Sequence, residues 1–292
     1  MKTEHTIHGV RAALRSAKKN SQSVAFVPTM GNLHRGHIEL ILEAKRRADF
    51  VVCSIFVNPT QFGANEDFAT YPRTLERDGS LLADAGCDLV FIPDTTEMYH
   101  DGRQQLTQVH VDGITEHLCG ASRPGHFSGV ATVVTKLLNI ITPDMAFFGE
   151  KDYQQLAVIR QMVQDLCLAT NIIGVPTIRD TDGLALSSRN QYLTESQRAV
   201  APHVYEALCR VRDGIQKDAS QAEELCRAAH QSLEASGFVV DYFCLQSREL
   251  AAFDTQQSQA VVLVAAYLGK TRLIDNLVFD IRTTESTREI CR

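Results

Sequence analysis

No stretch of this 292-residue sequence approaches the roughly 20 consecutive apolar residues that a membrane-spanning helix requires, and residues 1–20 are polar and basic. A membrane protein is therefore not expected, and the expected address is the cytoplasm. Basic charge is not in excess either, since the formal net charge is −6. That balance argues against a broad nucleic-acid-binding face and requires any phosphate-bearing ligand to be held by a local pocket. The eight cysteines, at positions 53, 87, 119, 167, 209, 226, 244 and 291, contain no C-x-x-C pair and no zinc-finger spacing. They read as reduced, mostly buried thiols. An internal repeat and a low-complexity linker are also missing, which excludes a solenoid and leaves any domain boundary soft.

What is present is an ordinary globular composition, 44% hydrophobic and 22% charged, long enough to bury a sizeable core without disulfides or a structural metal. The first two thirds alternate β-branched runs with amphipathic ones, the pattern of a parallel sheet with crossover helices. Residues 24–30 open the sheet. Residues 36–48 place Ile38, Ile41, Leu42 and Lys45 at helical spacing, and 50–57 form a strand buried on both faces. Residues 58–73, with Pro59, Gly63 and Pro72, read as a long loop over the carboxyl end of the sheet. Helices over 74–85, 127–141 and 153–167 and strands over 88–92, 145–148 and 172–178 complete an α/β, Rossmann-like, doubly wound fold, whose ligands belong at the strands' carboxyl ends. From 178 the texture changes to helices at 195–216 and 221–236 and strands near Val239, Val261 and Leu273. The expectation is a first domain over 1–177 and a smaller α+β domain over 178–292.

Three short elements carry chemistry. The first, Pro28-Thr29-Met30-Gly31-Asn32-Leu33-His34-Arg35-Gly36-His37, runs from a strand into a helix. Two histidines three apart there project from one face. Unpaired backbone N–H groups and the positive end of the helix dipole are expected to make the same space an anion site. Gly31 and Gly36 would let a nucleotide approach the backbone. Neutral imidazole N–H donors suit an α-phosphate under attack, because charge builds on its oxygens. In isolation, an H-x-G-H of this kind more often serves as a helix cap with a surface contact.

The second element is Gly149-Glu150-Lys151-Asp152, again between strand and helix. Lys151 would be a compact positive charge beside phosphates, and Asp152 could cap the helix or bind a ribose hydroxyl or a metal. Alone, it is more often a solvated turn. The third, Gly183-Leu184-Ala185-Leu186-Ser187-Ser188-Arg189-Asn190, is a small-residue loop whose hydroxyls, amides and guanidinium could wrap a triphosphate and exclude water on closing. Alone, it is more often an interdomain turn with a capping serine. In this order the three follow the H-I-G-H and K-M-S-K-S logic of class I adenylate-forming enzymes.

With those residues in view, the chain resembles the pantothenate synthetase (pantoate–β-alanine ligase) family. The likeness is carried by FVPTMGNLHRGH, SIFVNPTQF, YPRT, SRPGHF, FFGEKDYQQL and DGLALSSRNQYL, and extends through LVAAYLG and TRLIDN. It implies a ligase that joins pantoate to β-alanine through a pantoyl-adenylate, releasing AMP and pyrophosphate. ATP would be held by Met30, Gly31, Asn32, Leu33, His34, Arg35, Gly36 and His37, by Gly149, Glu150, Lys151 and Asp152, by Ile178, and by Leu186, Ser187, Ser188 and Arg189. The catalytic set would be His34, His37, Lys151, Ser187, Ser188 and Arg189, with both histidines as transition-state stabilisers. Gln61 and Gln155 match the glutamines that bind pantoate, and Gln61 would also lie beside β-alanine. Arg123 and His126 would edge the acid pocket.

The resemblance further implies a homodimer and Mg2+ held mainly by ATP phosphates. The sequence departs from the family pattern at Arg35, which adds charge beside the nucleotide, at Thr60 in place of a common methionine, and at Arg77-Asp78 where some members have adjacent acids. Three rivals follow from the same residues: a nucleotidylyltransferase of the same superfamily, a class I aminoacyl-tRNA synthetase, which the short C-terminal part and acidic balance disfavour, and a catalytically silent nucleotide-binding regulator.

Overall fold

The alternating β-branched and amphipathic runs fold, in the computed structural model, as parallel strands with helical crossovers; the described residues are 1–63, 66, 68–99 and 107–282. The chain divides into two compact units, Met1–Ile178 and Arg179–Arg292. In chain order the first comprises β1 (Lys2–Glu4), α1 (Ile7–Lys19), β2 (Val24–Thr29), α2 (Arg35–Arg47), β3 (Phe50–Ile55), α3 (Leu75–Asp84), β4 (Leu89–Phe91), α4 (Thr95–Tyr99), α5 (Cys119–Ser122), α6 (His126–Ile141), β5 (Met145–Gly149), α7 (Tyr153–Asp165) and β6 (Asn171–Val175). The strands pair in the order β1-β4-β3-β2-β5-β6, all parallel.

This order reverses at β2, which has β3 on one side and β5 on the other. In open α/β sheets a ligand crevice forms at such a switch point, outside the carboxyl ends of the strands. The pairing itself leaves room for one. β2 stays bonded to β3 as far as Thr29↔Ile55, but its pairing with β5 stops at Phe26↔Ala146. Pro28, which has no N–H to give, sits in the stretch where β5 no longer pairs.

One face of the sheet packs Ala25, Val27, Val51, Cys53 and Val90 against Leu40, Ile41 and Ala44 of α2 and Leu82 of α3. The buried stripe of α2 is thus turned from the expected one: Ile41 is shared, Ile38 and Leu42 are half-buried, and Leu40 and Ala44 complete the contact. The helix α1 and strand β1 were not legible in the polar first 20 residues. Thr6 caps α1 by accepting from the Gly9 N–H, and Val10, Leu14 and Ala17 give it a narrow apolar stripe at helical spacing. The seven described cysteines form no disulfide with one another, but only Cys53, Cys87 and Cys119 are buried, fewer than expected.

The second unit has α8 (Glu195–Val200), α9 (His203–Lys217), α10 (Ala222–Ala235), β7 (Val239–Ser247), β8 (Gln259–Leu268) and β9 (Thr271–Asp280). Its strands form an antiparallel meander in the order β7-β8-β9. Alternate β8 residues Ala260, Val262, Val264 and Ala266 meet Val204, Leu208, Val211 and Ile215 of α9 and Leu233 of α10. The single helix expected over 195–216 is two, because Pro202 cannot donate a helical hydrogen bond and its ring clashes with the preceding turn. Among the described residues no helix is long and apolar enough to cross a membrane.

Candidate active site

Two of the three sequence elements follow the two strands that flank the switch point: residues 30–37 leave β2, and 149–152 leave β5. Directly after β2 the chain makes two successive left-handed residues, Gly31 at φ 81° and Asn32 at φ 50°. A buried carboxylate holds this turn. Asp78 on α3 is wholly inaccessible and accepts from the Asn32 N–H at 2.8 Å, the Leu33 N–H at 2.9 Å and the Thr74 hydroxyl at 3.0 Å. A Cβ on Gly31 would stand 3.0 Å from Ile55 and 3.1 Å from Asp78, so glycine is needed here for the turn and its packing as well as for any ligand.

The histidines then cap their own helix. His34 is the N-cap of α2, and its Nδ1 accepts from the Gly36 N–H at 3.1 Å; the Nδ1 of His37 accepts from the His34 N–H at 3.3 Å. This reciprocal capping box corrects the expectation of unpaired backbone donors. The amides of Gly31, Asn32, Leu33, His34 and Gly36 all have acceptors inside the protein, the first being the Thr29 hydroxyl at 3.2 Å. What the turn presents instead is fixed by the same bonds. An imidazole whose Nδ1 accepts must carry its proton on Nε2, so both rings are Nε2–H donors.

Both rings are also neutral at physiological pH. Burial, then the neighbouring His37 and Lys151, push the His34 pKa down to about 3; burial, opposed by Asp152 and assisted by Lys151, lowers that of His37 to about 4. The ring centroids are 4.0 Å apart. The electrostatic reach of Lys151 and Asp152 to both rings brings the 30–37 and 149–152 elements into one site. Lys151 lies in a 3₁₀ turn, Glu150–Asp152, ahead of α7. Asp152 is exposed and makes no side-chain cap to α7, so of its expected roles the capping one is not realised.

The 58–73 loop adds Gln61, at the end of a 3₁₀ turn, Pro59–Gln61. Its Nε2 is 3.0 Å from the Met30 sulfur, which ties it to the first element. Arg123 and His126 meet Gln61 through its main chain rather than its side chain. His126 donates from Nδ1 to the Gln61 carbonyl at 2.8 Å, and its Nε2 accepts from Arg123 at 3.0 Å. Burial and the Arg123 charge hold the His126 pKa down to about 4. Arg123 also makes a two-pronged ion pair with Glu66, 2.6 Å at each prong, which fastens this loop to the start of α6.

The adjacent glutamines of α7 separate cleanly. Gln154 is buried and spent on the Cys119 N–H and the Ile114 and His117 carbonyls. Gln155, one position along the same helix, is half-buried. Ile178 is half-buried and is the last residue of the first unit.

Leu186, Ser187, Ser188 and Arg189 belong to the second unit, all half-buried. Ser187 caps a 3₁₀ turn, Ser188–Tyr192, by accepting from the Arg189 N–H at 3.2 Å, as the plainer reading of that loop expected. The root of the loop is an arginine node that the sequence reading missed. Arg179 forms a two-pronged pair with the buried Asp275 at 2.5 and 2.9 Å and donates to the Gly183 and Asn276 carbonyls. Its guanidinium lies 3.8 Å from the Tyr205 ring centroid. Arg198 braces the same root through Asp180 and Asp182. Missed in the first unit are Asn58 and Tyr99, and Asp78, set against the adjacent acids of some family members, was not expected to hold the 30–37 turn. An N-P pair marks Asn58 as a turn former, but nothing local marks Tyr99.

Known proteins bear on this arrangement. The sequence profile described as pantoate–β-alanine ligase matches residues 2–278. A pantothenate synthetase of Pseudomonas aeruginosa is 55% identical over 280 residues, covering 95% of this chain and 98% of that protein. That of Acinetobacter baylyi is 54% identical over 277 residues, with 95% and 98% covered. Among solved structures, a pantothenate synthetase from Thermus thermophilus superimposes with a TM-score of 0.88 at 46% identity, covering 97% of this chain and all of that one. A pantoate–β-alanine ligase from Francisella tularensis, crystallised with β-γ ATP and β-alanine, gives 0.79 at 40% identity, with 95% and 97% covered. With a strand-order reversal at β2, paired neutral imidazoles beside Lys151, and likeness over nearly its full length, this chain belongs to the pantoate–β-alanine ligase family.

Proposed function

We propose that this chain joins pantoate to β-alanine at the expense of ATP, through a pantoyl-adenylate. The observation that carries the mechanism is the pair of neutral Nε2–H imidazoles held beside Lys151 at the switch point. A pantoate carboxylate oxygen attacks the α-phosphorus in line as the bond to pyrophosphate breaks. Charge that builds on the α-phosphate oxygens meets two donors already oriented, at no further cost in reorganisation. Neither imidazole is charged at neutral pH, so each acts as a hydrogen-bond donor; pyrophosphate needs no proton to leave. The neutral amine of β-alanine then attacks the acyl carbon, AMP departs, and the amine loses its surplus proton to solvent.

In this reading residues 30–37 and 149–152 with Ile178 hold the nucleotide, Gln61 and Gln155 bind pantoate, and Gln61 borders β-alanine. Leu186, Ser187, Ser188 and Arg189 close over the triphosphate and keep water from the mixed anhydride. Magnesium enters as the counter-ion of ATP. Asp78, the acid nearest the family's metal region, has its oxygens committed to two amides and a hydroxyl. The proposal includes a homodimer in the cytoplasm, for which sedimentation and cell fractionation are the checks.

The decisive assay supplies ATP, pantoate and β-alanine and omits each in turn. Pantoate alone should support exchange of pyrophosphate into ATP, and free AMP should appear only when the amine is added. AMP retained on the product would instead mark a nucleotidylyltransferase, and no exchange with pantoate would remove the proposal.

A further inference from the structure

The amide of Gln61 could face its surroundings in either of two senses, and the groups around Asn58 decide which. Asn58 Oδ1 accepts the Thr60 N–H at 3.3 Å; a peptide N–H can only donate, so that atom is the oxygen. Asn58 Nδ2 lies 3.3 Å from the Gly129 carbonyl, which can only accept, so that atom is the nitrogen. The polarity of Asn58 is therefore set at both ends by main-chain groups. Tyr99, buried, adds a 2.6 Å bond from its hydroxyl to the same Oδ1. Nδ2 also sits 3.2 Å from the Gln61 side chain, so the Gln61 atom there is Oε1, and its NH₂ turns the other way, toward Met30.

We propose that Tyr99 and Gly129 are positioning residues that act through Asn58 to hold Gln61 with its NH₂ edge toward the acid substrate. Resting on the function proposed above, this makes Gln61 a reader of oxygen acceptors, the carboxylate or a hydroxyl oxygen of pantoate. A Gln61 turned over would offer a carbonyl oxygen there and repel a carboxylate. Gly129 has a steric reason as well: a Cβ at this position of α6 would stand 2.2 Å from the Thr60 carbonyl oxygen, so only glycine lets the 3₁₀ turn approach its carbonyl. Thr60 strengthens the arrangement. Its hydroxyl lies 3.0 Å from Asn58 Oδ1 and 3.3 Å from the Tyr99 hydroxyl.

The test uses the full-length chain in two measurements. With labelled glutamine amides and methionine methyls, a nuclear Overhauser contact between the Gln61 NH₂ and the Met30 methyl is expected in the parent. It should be lost in Asn58→Asp, whose second oxygen draws the NH₂ back. Persistence of that contact overturns the relay whatever the activity. In Tyr99→Phe, with the fold intact by circular dichroism, KM for pantoate should rise on the order of 10-fold while KM for ATP stays put. An unchanged pantoate KM, or equal losses for both substrates, also overturns it. A parent chain without pantoate-dependent exchange would count against the activity, and the relay would still be decided by the methyl contact.

Discussion

The 30–37 turn takes its hydrogen bonds from within itself and from one buried carboxylate, whereas the 183–190 loop is held at its root by Arg179 and Arg198 and further along by its own serine cap and the Asn190 amide on the Ala185 carbonyl. Two elements that the sequence offers for the same triphosphate thus differ in how their geometry is secured. The first is organised before any ligand arrives, down to the tautomer of each ring. The second is anchored where it leaves the fold, with its serines and Arg189 carried on a single 3₁₀ turn. Preorganised donors suit the bond-making step, and a root-anchored loop suits closing.

The difference can be broken from either side. The largest effect is expected from Asp78→Ala, which strands two buried amides and a hydroxyl. It should cost on the order of 4 kcal/mol in urea unfolding and abolish turnover with it. A near-neutral result would mean that the turn holds itself. His37→Ala and Lys151→Ala should fold normally yet lower kcat by roughly 10²-fold or more, about 2.7 kcal/mol of transition-state stabilisation. Unchanged turnover in both would sink the imidazole–lysine mechanism. Arg179→Lys keeps the charge at the root of the second loop but loses the fork to Asp275 and the stacking on Tyr205. A loss of about 2 kcal/mol and a raised KM for ATP are expected; equal loss of pantoate binding would count against the proposed nucleotide role of the 183–190 loop.

The smallest effect near neutral pH concerns protons. His34, His37 and His126 have folded-state pKa values depressed to about 3, 4 and 4, against 6.5 in the unfolded chain. The unfolded chain therefore takes up protons first as the medium acidifies. The stability these groups contribute is complete above about pH 6.5 and falls as pH drops toward 4. Melting temperature followed over pH 4–8 should decline on the acid side, while kcat shows no histidine-borne inflection between pH 6 and 8.

Much of this was legible in the sequence because it is local. The β-α-β texture located β2, α2 and β3, and the strand-to-helix position of the histidines and Lys151 put them at the sheet's carboxyl edge. Long-range pairing is what the sequence could not supply. Nothing near residue 32 announces that its amide belongs to a carboxylate 46 residues away, so the amides of the turn read as available when they are spent. The polarity of Gln61 depends on a carbonyl in α6, and the root of the second loop on Asp275 in β9. The helix α1 was lost for a different reason: three buried positions in 13 residues give a stripe too narrow to stand out among polar neighbours. The break at Pro202, by contrast, follows from local proline chemistry, although the expectation of one helix over 195–216 ran through it.

The mutual cap of His34 and His37 carries one more implication. Each ring lends a nitrogen to the other's stretch of backbone, so removing either loosens the aim of its companion as well as deleting its own donor. The two positions are thermodynamically one part. A cycle of single and double alanine replacements should show the second loss costing far less than the first, and an engineer who wants to retune either ring must redesign both together.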